Sequence, residues 1–173
     1  MCRKTGYLLQ YERQNGSREA PRSENMNLMG RILAIDYGRK RTGLAVSDPL
    51  RIIANPLETV PTHTLMEVIK RYVAEHEVDL IVVGMPLQMD GRPAEAYTYI
   101  RPFLNRLGKE MPQMPVELFD ERFTSKLALQ TMIAGGVPKK RRREDKGMVD
   151  RISATIILQG YMEAQSLQTK NEI

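Results

Sequence analysis

The chain has 173 residues, 42% of them hydrophobic, and a formal net charge of +5, which suits a single domain with one sizeable core. Its single cysteine and two histidines exclude a disulfide framework and a thiolate zinc site. No apolar run approaches the ~18 residues of a transmembrane helix and no signal-peptide pattern is present, so we expect a cytoplasmic protein without membrane contact.

The first 28 residues differ in composition from the rest of the chain. They carry five basic and three acidic side chains, few apolar ones and no sustained periodicity. We therefore predict a disordered basic extension over 1–28, a single domain over 29–165 and a polar tail over 166–173.

Apolar patterning predicts an alternation of strands and helices along the domain. The order of elements requires three antiparallel strands at the start, joined to parallel strands by helical crossovers. Pro56 should stop the third strand and Pro102 should kink the second helix. The predicted strands span 31–37, 43–48, 51–55, 79–86 and 115–120, and the predicted helices span 64–77, 92–109, 124–134 and 148–165.

The first strand leads into a lone carboxylate, Asp36, and then into a turn between Gly38 and Gly43. These glycines allow a tight turn and a close approach of two backbone segments. A carboxylate at the rim of a sheet either holds a metal ion or caps local backbone groups, and this segment alone leaves both readings open. Lys40 and Arg41 in the turn either contact phosphate or remain solvated.

Two later segments offer further acids. Asp120 and Glu121 follow a short strand, and Asp150 lies in the first turn of the last helix, on the same edge as Ala154 and Tyr161. An ionised carboxylate partly removed from water costs several kcal/mol unless a cation meets it. The helix N-terminus offsets only ~0.3–1 kcal/mol of that cost, whereas a divalent cation would offset more.

A basic run directly precedes the helix that carries Asp150 and gives a net charge of +4 within eight residues. Such a run is commonly a solvated loop. Its place beside the acids favours a mobile loop that binds a phosphate backbone, with salt-sensitive affinity that is largely independent of sequence. The cations are Lys139, Lys140, Arg141, Arg142, Arg143 and Lys146.

Four segments resemble, in order, the motifs of the YqgF/RuvX family. They are AIDYGRKRTGLAVSD (34–48), GMPLQMDG (84–91), FDER (119–122) and KGMVDRISA (146–154). Members are small bacterial nucleases, first proposed as Holliday-junction resolvases and now usually named for processing of pre-16S rRNA. The resemblance implies an α/β, ribonuclease H-like fold. Its mixed five-stranded sheet has the first three strands antiparallel and the first, fourth and fifth parallel, and helices flank it.

The resemblance also implies the site. Asp36 and the Asp120/Glu121 pair would end neighbouring strands, and the last helix would bring Asp150 across them. Asp36, Glu121 and Asp150 are then the catalytic residues and the ligands of one or two Mg²⁺ or Mn²⁺ ions, with Asp36 bridging and Asp120 as the alternative to Glu121. Nucleic acid would be bound by Lys40, Arg41, Arg122, Lys139, Lys140, Arg141, Arg142, Arg143 and Lys146.

A loop after the fourth strand, containing Gly84, Asp90 and Gly91, would lie at the edge of the site. An ordinary strand-to-helix turn capped by Asp90 is an equally good reading. Tyr97 and Tyr99 fall in a helix and are as well explained by packing, so the sequence indicates no aromatic stacking platform.

These features predict a metal-dependent endonuclease that processes the 5′ end of pre-16S rRNA. A Holliday-junction resolvase acting on DNA is the alternative, and a non-catalytic nucleic-acid-binding factor is the alternative of another class. A nucleotide-binding module of the actin, Hsp70 and sugar-kinase type is disfavoured, because such modules work in pairs. Partners would be precursor rRNA or branched DNA, and either a monomer or a homodimer is compatible with the sequence.

Overall fold

A computed structural model describes residues 30–85, 97–120, 135–136 and 145–171. The five strands are β1 (Arg31–Tyr37), β2 (Arg41–Ser47), β3 (Ala54–Pro61), β4 (Val78–Met85) and β5 (Val116–Asp120). The α-helices within these ranges are α1 (Leu65–Glu75), α2 (Tyr97–Glu110) and α3 (Lys146–Asn171), and a short 3₁₀ turn (Thr62–Thr64) precedes α1.

The five strands form one mixed sheet in the order β3-β2-β1-β4-β5. β1 pairs antiparallel with β2, and β2 pairs antiparallel with β3, whereas β4 runs parallel to both β1 and β5. This confirms the predicted sheet. One detail of the expectation was wrong: β4 lies between β1 and β5, so the strands that carry Asp36 and Asp120 are not neighbours.

Alternate residues of β1 face two different helical layers. Leu33 and Ile35 join the core beneath α1 and α2, and Ile32 and Ala34 pack beneath α3. The period of two carries Asp36 to the α3 side. β4 is buried on both faces, as its continuous apolar run predicts.

The third strand is later in the chain than predicted. β3 covers 54–61 instead of 51–55, and Pro56 lies inside it, opposite Ala45 at an irregularity in the register. Proline is tolerated there because β3 is an edge strand, so the missing backbone N–H does not remove a hydrogen bond from the middle of the sheet.

A turn replaces the start of the predicted strand. Both Oδ1 and Oδ2 of Asp48 accept backbone hydrogen bonds, from Ile52 and Ile53 (2.7 Å each) and from Leu50 (3.1 Å). Arg51 adopts a positive φ of 56° within the turn. Leu50, Ile52 and Ile53 are consequently exposed, although their apolar character favoured a strand.

The last helix is longer than predicted. α3 runs to Asn171, whereas the apolar period indicated an end near residue 165, so most of the polar tail is helical. Pro102 lies inside α2, and the kink predicted there stays a prediction. The predicted helix over 124–134 and the extension over 1–28 lie outside the described residues. None of the helices in the described ranges is both long and apolar enough to span a membrane.

Candidate metal and nucleic-acid site

Asp36 lies near the end of β1 and is paired in register with Gly43 of β2. Gly43 has no side chain, and a Cβ atom built on it would overlap the backbone of Asp150 and Arg151. The first turns of α3 therefore rest directly on β2, which brings Asp150 to the side of the sheet that Asp36 faces. The close backbone approach predicted for Gly43 is confirmed.

The two carboxylates are close enough to influence each other's ionisation. Burial, followed by the negative charge of Asp150, raises the pKa of Asp36 from 3.8 to about 7, and the nearby hydroxyl of Ser153 opposes this shift. A carboxylate in that state gains from any cation that binds beside it. The shift shows that the protein surroundings of Asp36 disfavour its negative charge.

Ser153 was not selected from the sequence, because it falls among the apolar positions of a helix. Its side-chain oxygen is buried and has no partner with hydrogen-bond geometry in the part of the chain that the structure describes. Buried polar atoms are nearly always paired with protein or ordered water. Two carboxylates and an unpartnered hydroxyl offer hard oxygen donors of the kind Mg²⁺ and Mn²⁺ prefer, so these residues fit a divalent cation.

Arg41 pairs with one of the predicted ligands. Its Nε donates to Oδ2 of Asp150 at 2.9 Å, and the Arg41 side chain remains 43% exposed. Ion pairs this open to solvent contribute only ~0–1 kcal/mol, so a divalent cation can compete for Asp150. The sequence suggested Arg41 for phosphate contact but could not reveal this pairing, because the two residues are 109 positions apart.

The start of α3 is anchored on both sides. Oδ1 of Asp145 accepts a hydrogen bond from the backbone N–H of Met148 at 2.8 Å, and Oδ2 pairs with Arg151 at 3.1 Å. The hydroxyl of Thr59 in β3 donates to the carbonyl of Gly147 at 2.7 Å. Asp145 thus caps the helix, although the sequence placed it within the charged run, and these contacts hold Asp150 toward the sheet.

A third ligand remains a prediction. Among the described residues, no group of three His, Cys, Asp or Glu side chains lies close enough together to hold a metal ion. Asp120 ends β5 opposite Met85, next to Gly84 of β4. Glu121 lies outside the described residues, as do Asp90, Gly91, Arg122, Lys139, Lys140, Arg141, Arg142 and Arg143, and only the backbone of Lys146 is described.

Lys40 is exposed at the β1–β2 turn and lines a groove on the α1 and α2 side of the sheet. It does not share the α3 side with Asp36 and Asp150. The predicted cations Lys40 and Arg41 therefore lie near opposite faces of the same hairpin.

Comparison with known proteins identifies relatives. A family model described as "RuvX: Holliday junction resolvase" matches residues 30–164. A Bacteroides fragilis protein named "Putative pre-16S rRNA nuclease" is 55% identical over 139 residues, covering 80% of this chain and all of that protein. A Phocaeicola vulgatus protein of the same name is 56% identical over 137 residues, covering 79% of this chain and 98% of that protein.

Among solved structures, the chain is similar to T. thermophilus RuvC in complex with a Holliday junction substrate. The identity is 19% and the TM-score 0.45, over 79% of this chain and 95% of that one. The family model covers well over half of the chain, and the two bacterial proteins share more than half of the aligned residues with it. The chain therefore belongs to the RuvX family.

Proposed function

We propose that the protein is a divalent-metal-dependent endonuclease of the cytoplasm that hydrolyses phosphodiester bonds in the 5′ region of pre-16S rRNA. The observation that carries the proposal is the facing pair of Asp36 and Asp150, with a pKa near 7 on Asp36 and the buried Ser153 hydroxyl beside it. Two ionised carboxylates this close repel each other, and the solvent-exposed Arg41 pair contributes only ~0–1 kcal/mol, so a cation-binding role explains their proximity.

Asp36 and Asp150 would hold the metal, with Glu121 as the third ligand. When bound, one or two Mg²⁺ or Mn²⁺ ions supply an activated water and stabilise the charge on the leaving oxygen. Asp36 would act as an ionised carboxylate, because a bound cation lowers the pKa of its carboxyl group. The pair of Arg41 with Asp150 would then open, which would make the guanidinium available for a substrate phosphate.

Substrate positioning falls to the cations around the acids. Arg122 and the basic run from Lys139 to Lys146 would neutralise backbone phosphates. Such contacts hold a strand without selecting its sequence, so they support a nucleic-acid substrate and leave the type of strand open. The names of the bacterial relatives favour precursor rRNA.

A second candidate function is resolution of Holliday junctions in DNA, which the description of the matching family model favours. Symmetric cleavage of two strands requires two active sites related by a two-fold axis, and therefore a homodimer. The two candidate functions therefore differ in their cleavage products and in the oligomeric state that they require.

The test incubates purified protein and Mn²⁺ with an RNA spanning the 5′ end of pre-16S rRNA and, separately, with a four-way DNA junction. We expect cleavage of the RNA by the wild type. Asp36→Asn should lower the rate by more than about 100-fold, since even outer partners of metal ligands are worth about 10–100-fold. Asp48→Asn, a change of the same type outside the site, should cleave at the wild-type rate.

Two results would replace the proposal. Paired symmetric nicks in the junction with the RNA left intact would establish the resolvase. Binding of the RNA without cleavage in either Mg²⁺ or Mn²⁺ would establish a non-catalytic nucleic-acid-binding factor.

A further inference from the structure

A groove with a volume of about 580 Å³ opens at the same end of β1 as Asp36, but on the opposite face of the sheet. Its volume falls within the ~300–1,000 Å³ typical of ligand sites. Tyr37 lines it and packs against the core beneath α1 and α2, whereas the preceding residue, Asp36, faces α3. The groove is therefore separate from the acid pair although Asp36 and Tyr37 are consecutive residues of β1.

One wall of the groove is aromatic. The ring of Tyr37 stacks on that of Phe103 with centroids 5.0 Å apart and planes inclined by 26°. Phe103 is buried and belongs to the core, and Tyr37 remains partly exposed. The core thus holds a flat aromatic surface rigidly at the edge of the sheet, which is what stacking on a nucleobase requires.

Three cationic side chains lie at the rim of the groove, whose remaining lining is Thr62, His63, Met66 and Pro102. The Arg39 guanidinium lies 4.2 Å from the ring centroid of Tyr99, and this contact fixes an exposed cation at the rim. Lys40 and Arg106 are also exposed there, and Arg106 shares Glu110 with Lys70. None of the described residues that line the groove is acidic. An aromatic wall with three cations at its rim matches a base joined to phosphate.

We propose that this groove binds one nucleotide of a single-stranded nucleic acid, with the base against Tyr37 and the phosphates beside Arg39, Lys40 and Arg106. The inference deepens the proposed function and rests on it in one respect: the same strand continues across the end of β1 to Asp36 and Asp150. A duplex keeps its bases stacked on each other, so the groove selects single strands or unpaired ends.

The sequence offered no sign of this surface. Tyr37 and Phe103 belong to β1 and α2, and only the crossing of α2 over the sheet brings them together. Of the two tyrosines considered from the sequence, Tyr99 contributes by supporting Arg39. The expectation that no aromatic stacking platform exists stays a prediction, which base binding in this groove would overturn.

The test measures binding of a fluorescently labelled short single-stranded RNA by anisotropy in EDTA, where no cleavage occurs. Arg39→Ala combined with Arg106→Ala should weaken binding at least about tenfold, because two of the three cations that would neutralise phosphate are lost. The matched control combines Arg71→Ala and Arg101→Ala. It removes two exposed arginines from α1 and α2 that do not line the groove, and it should bind nearly as the wild type does.

A second variant separates stacking from charge. Tyr37→Leu keeps an apolar side chain against Phe103 but removes the ring, so single-strand affinity should fall while its dependence on salt stays unchanged. Circular dichroism checks that Tyr37→Leu is folded. If it is not, the arginine variants alone test the inference. Binding of a duplex of the same sequence should be the same in all folded variants.

Equal losses in the groove and control variants would overturn the inference, as would a nucleoside monophosphate that competes as well as the strand does. The test distinguishes failure of the groove inference from failure of the nuclease proposal. Loss of binding in groove variants of a protein that cleaves nothing would support the groove and reject the nuclease. Normal binding by groove variants of an active nuclease would reject the groove alone.

Discussion

Asp36 lies near the end of β1 and Asp48 directly follows β2. The protein shifts the pKa values of these two aspartates in opposite directions. Backbone N–H groups, that of Ile53 foremost and those of Ile52 and Leu50 after it, hold the pKa of Asp48 below its usual 3.8. Burial and the charge of Asp150 raise the pKa of Asp36 to about 7. The charge on Asp48 stabilises the native structure, whereas the charge on Asp36 opposes it.

The difference separates an aspartate that stabilises a turn from one for which we propose a ligand. Every interaction of Asp48 is local and is completed when the turn forms. Asp36, in contrast, is buried beside a second carboxylate, and we have proposed that a cation binds there. Stabilising interactions that a protein leaves unmade in this way are typical of functional sites, so the comparison can be tested by changing each aspartate in turn.

The largest effect should come from metal binding. Saturating Mg²⁺ or Mn²⁺ should raise the melting temperature, because a ligand of the native state at 100 times its Kd stabilises by about 2.7 kcal/mol, or roughly 5–10 °C here. Asp36→Asn should remove most of this rise, and Asp48→Ala should retain it. Differential scanning calorimetry measures both. An equal rise in wild type and Asp36→Asn would refute the assignment of Asp36.

The second largest effect should come from Gly43, where α3 contacts the sheet. Gly43→Ala would force the Asp150 backbone away from β2 and should cost about 1–3 kcal/mol of unfolding free energy, as overpacking does. It should also weaken the metal-induced rise in melting temperature although both carboxylates remain. The control is Gly108→Ala in α2, where an added Cβ meets nothing within 4 Å. That change should be neutral or stabilising, and urea denaturation compares the two.

The smallest effect should come from Asp48, with a pH dependence opposite to that of Asp36. Asp48→Ala should cost about 1 kcal/mol, since the freed N–H groups are rehydrated in this exposed turn. Because the native pKa of Asp48 is lowered, its contribution is present above pH 3.8 and lost as the pH falls through the native pKa.

For Asp36 the native pKa is raised, so the metal-free wild type should lose stability as the pH rises from about 4 to 7. Asp36→Asn should lack that loss. Urea denaturation in EDTA across this pH range measures the unfolding free energies of the wild type and of Asp36→Asn. A wild-type minus Asp36→Asn difference that does not change with pH would show that Asp36 ionises normally.

The sequence by itself determined the elements whose signals are local. β1 and β4 follow from short, continuous apolar runs, and the inward edge of α3, with Asp150, Ala154 and Tyr161, follows from a period of 3.6. Asp36 and Asp150 could be selected as candidates because a charged residue bordering such a run is visible without any tertiary contact. The motifs of the family supplied their expected partnership.

Only the tertiary structure decided which side chains meet. The Asp48 turn displaced β3 because a single carboxylate captured three backbone N–H groups, which outweighed the strand propensity of Ile52 and Ile53. The Arg41–Asp150 pair and the Tyr37–Phe103 stack depend on where a helix crosses the sheet. Periodicity tells which face of an element is buried, but the crossing point is set by packing between residues far apart in the chain.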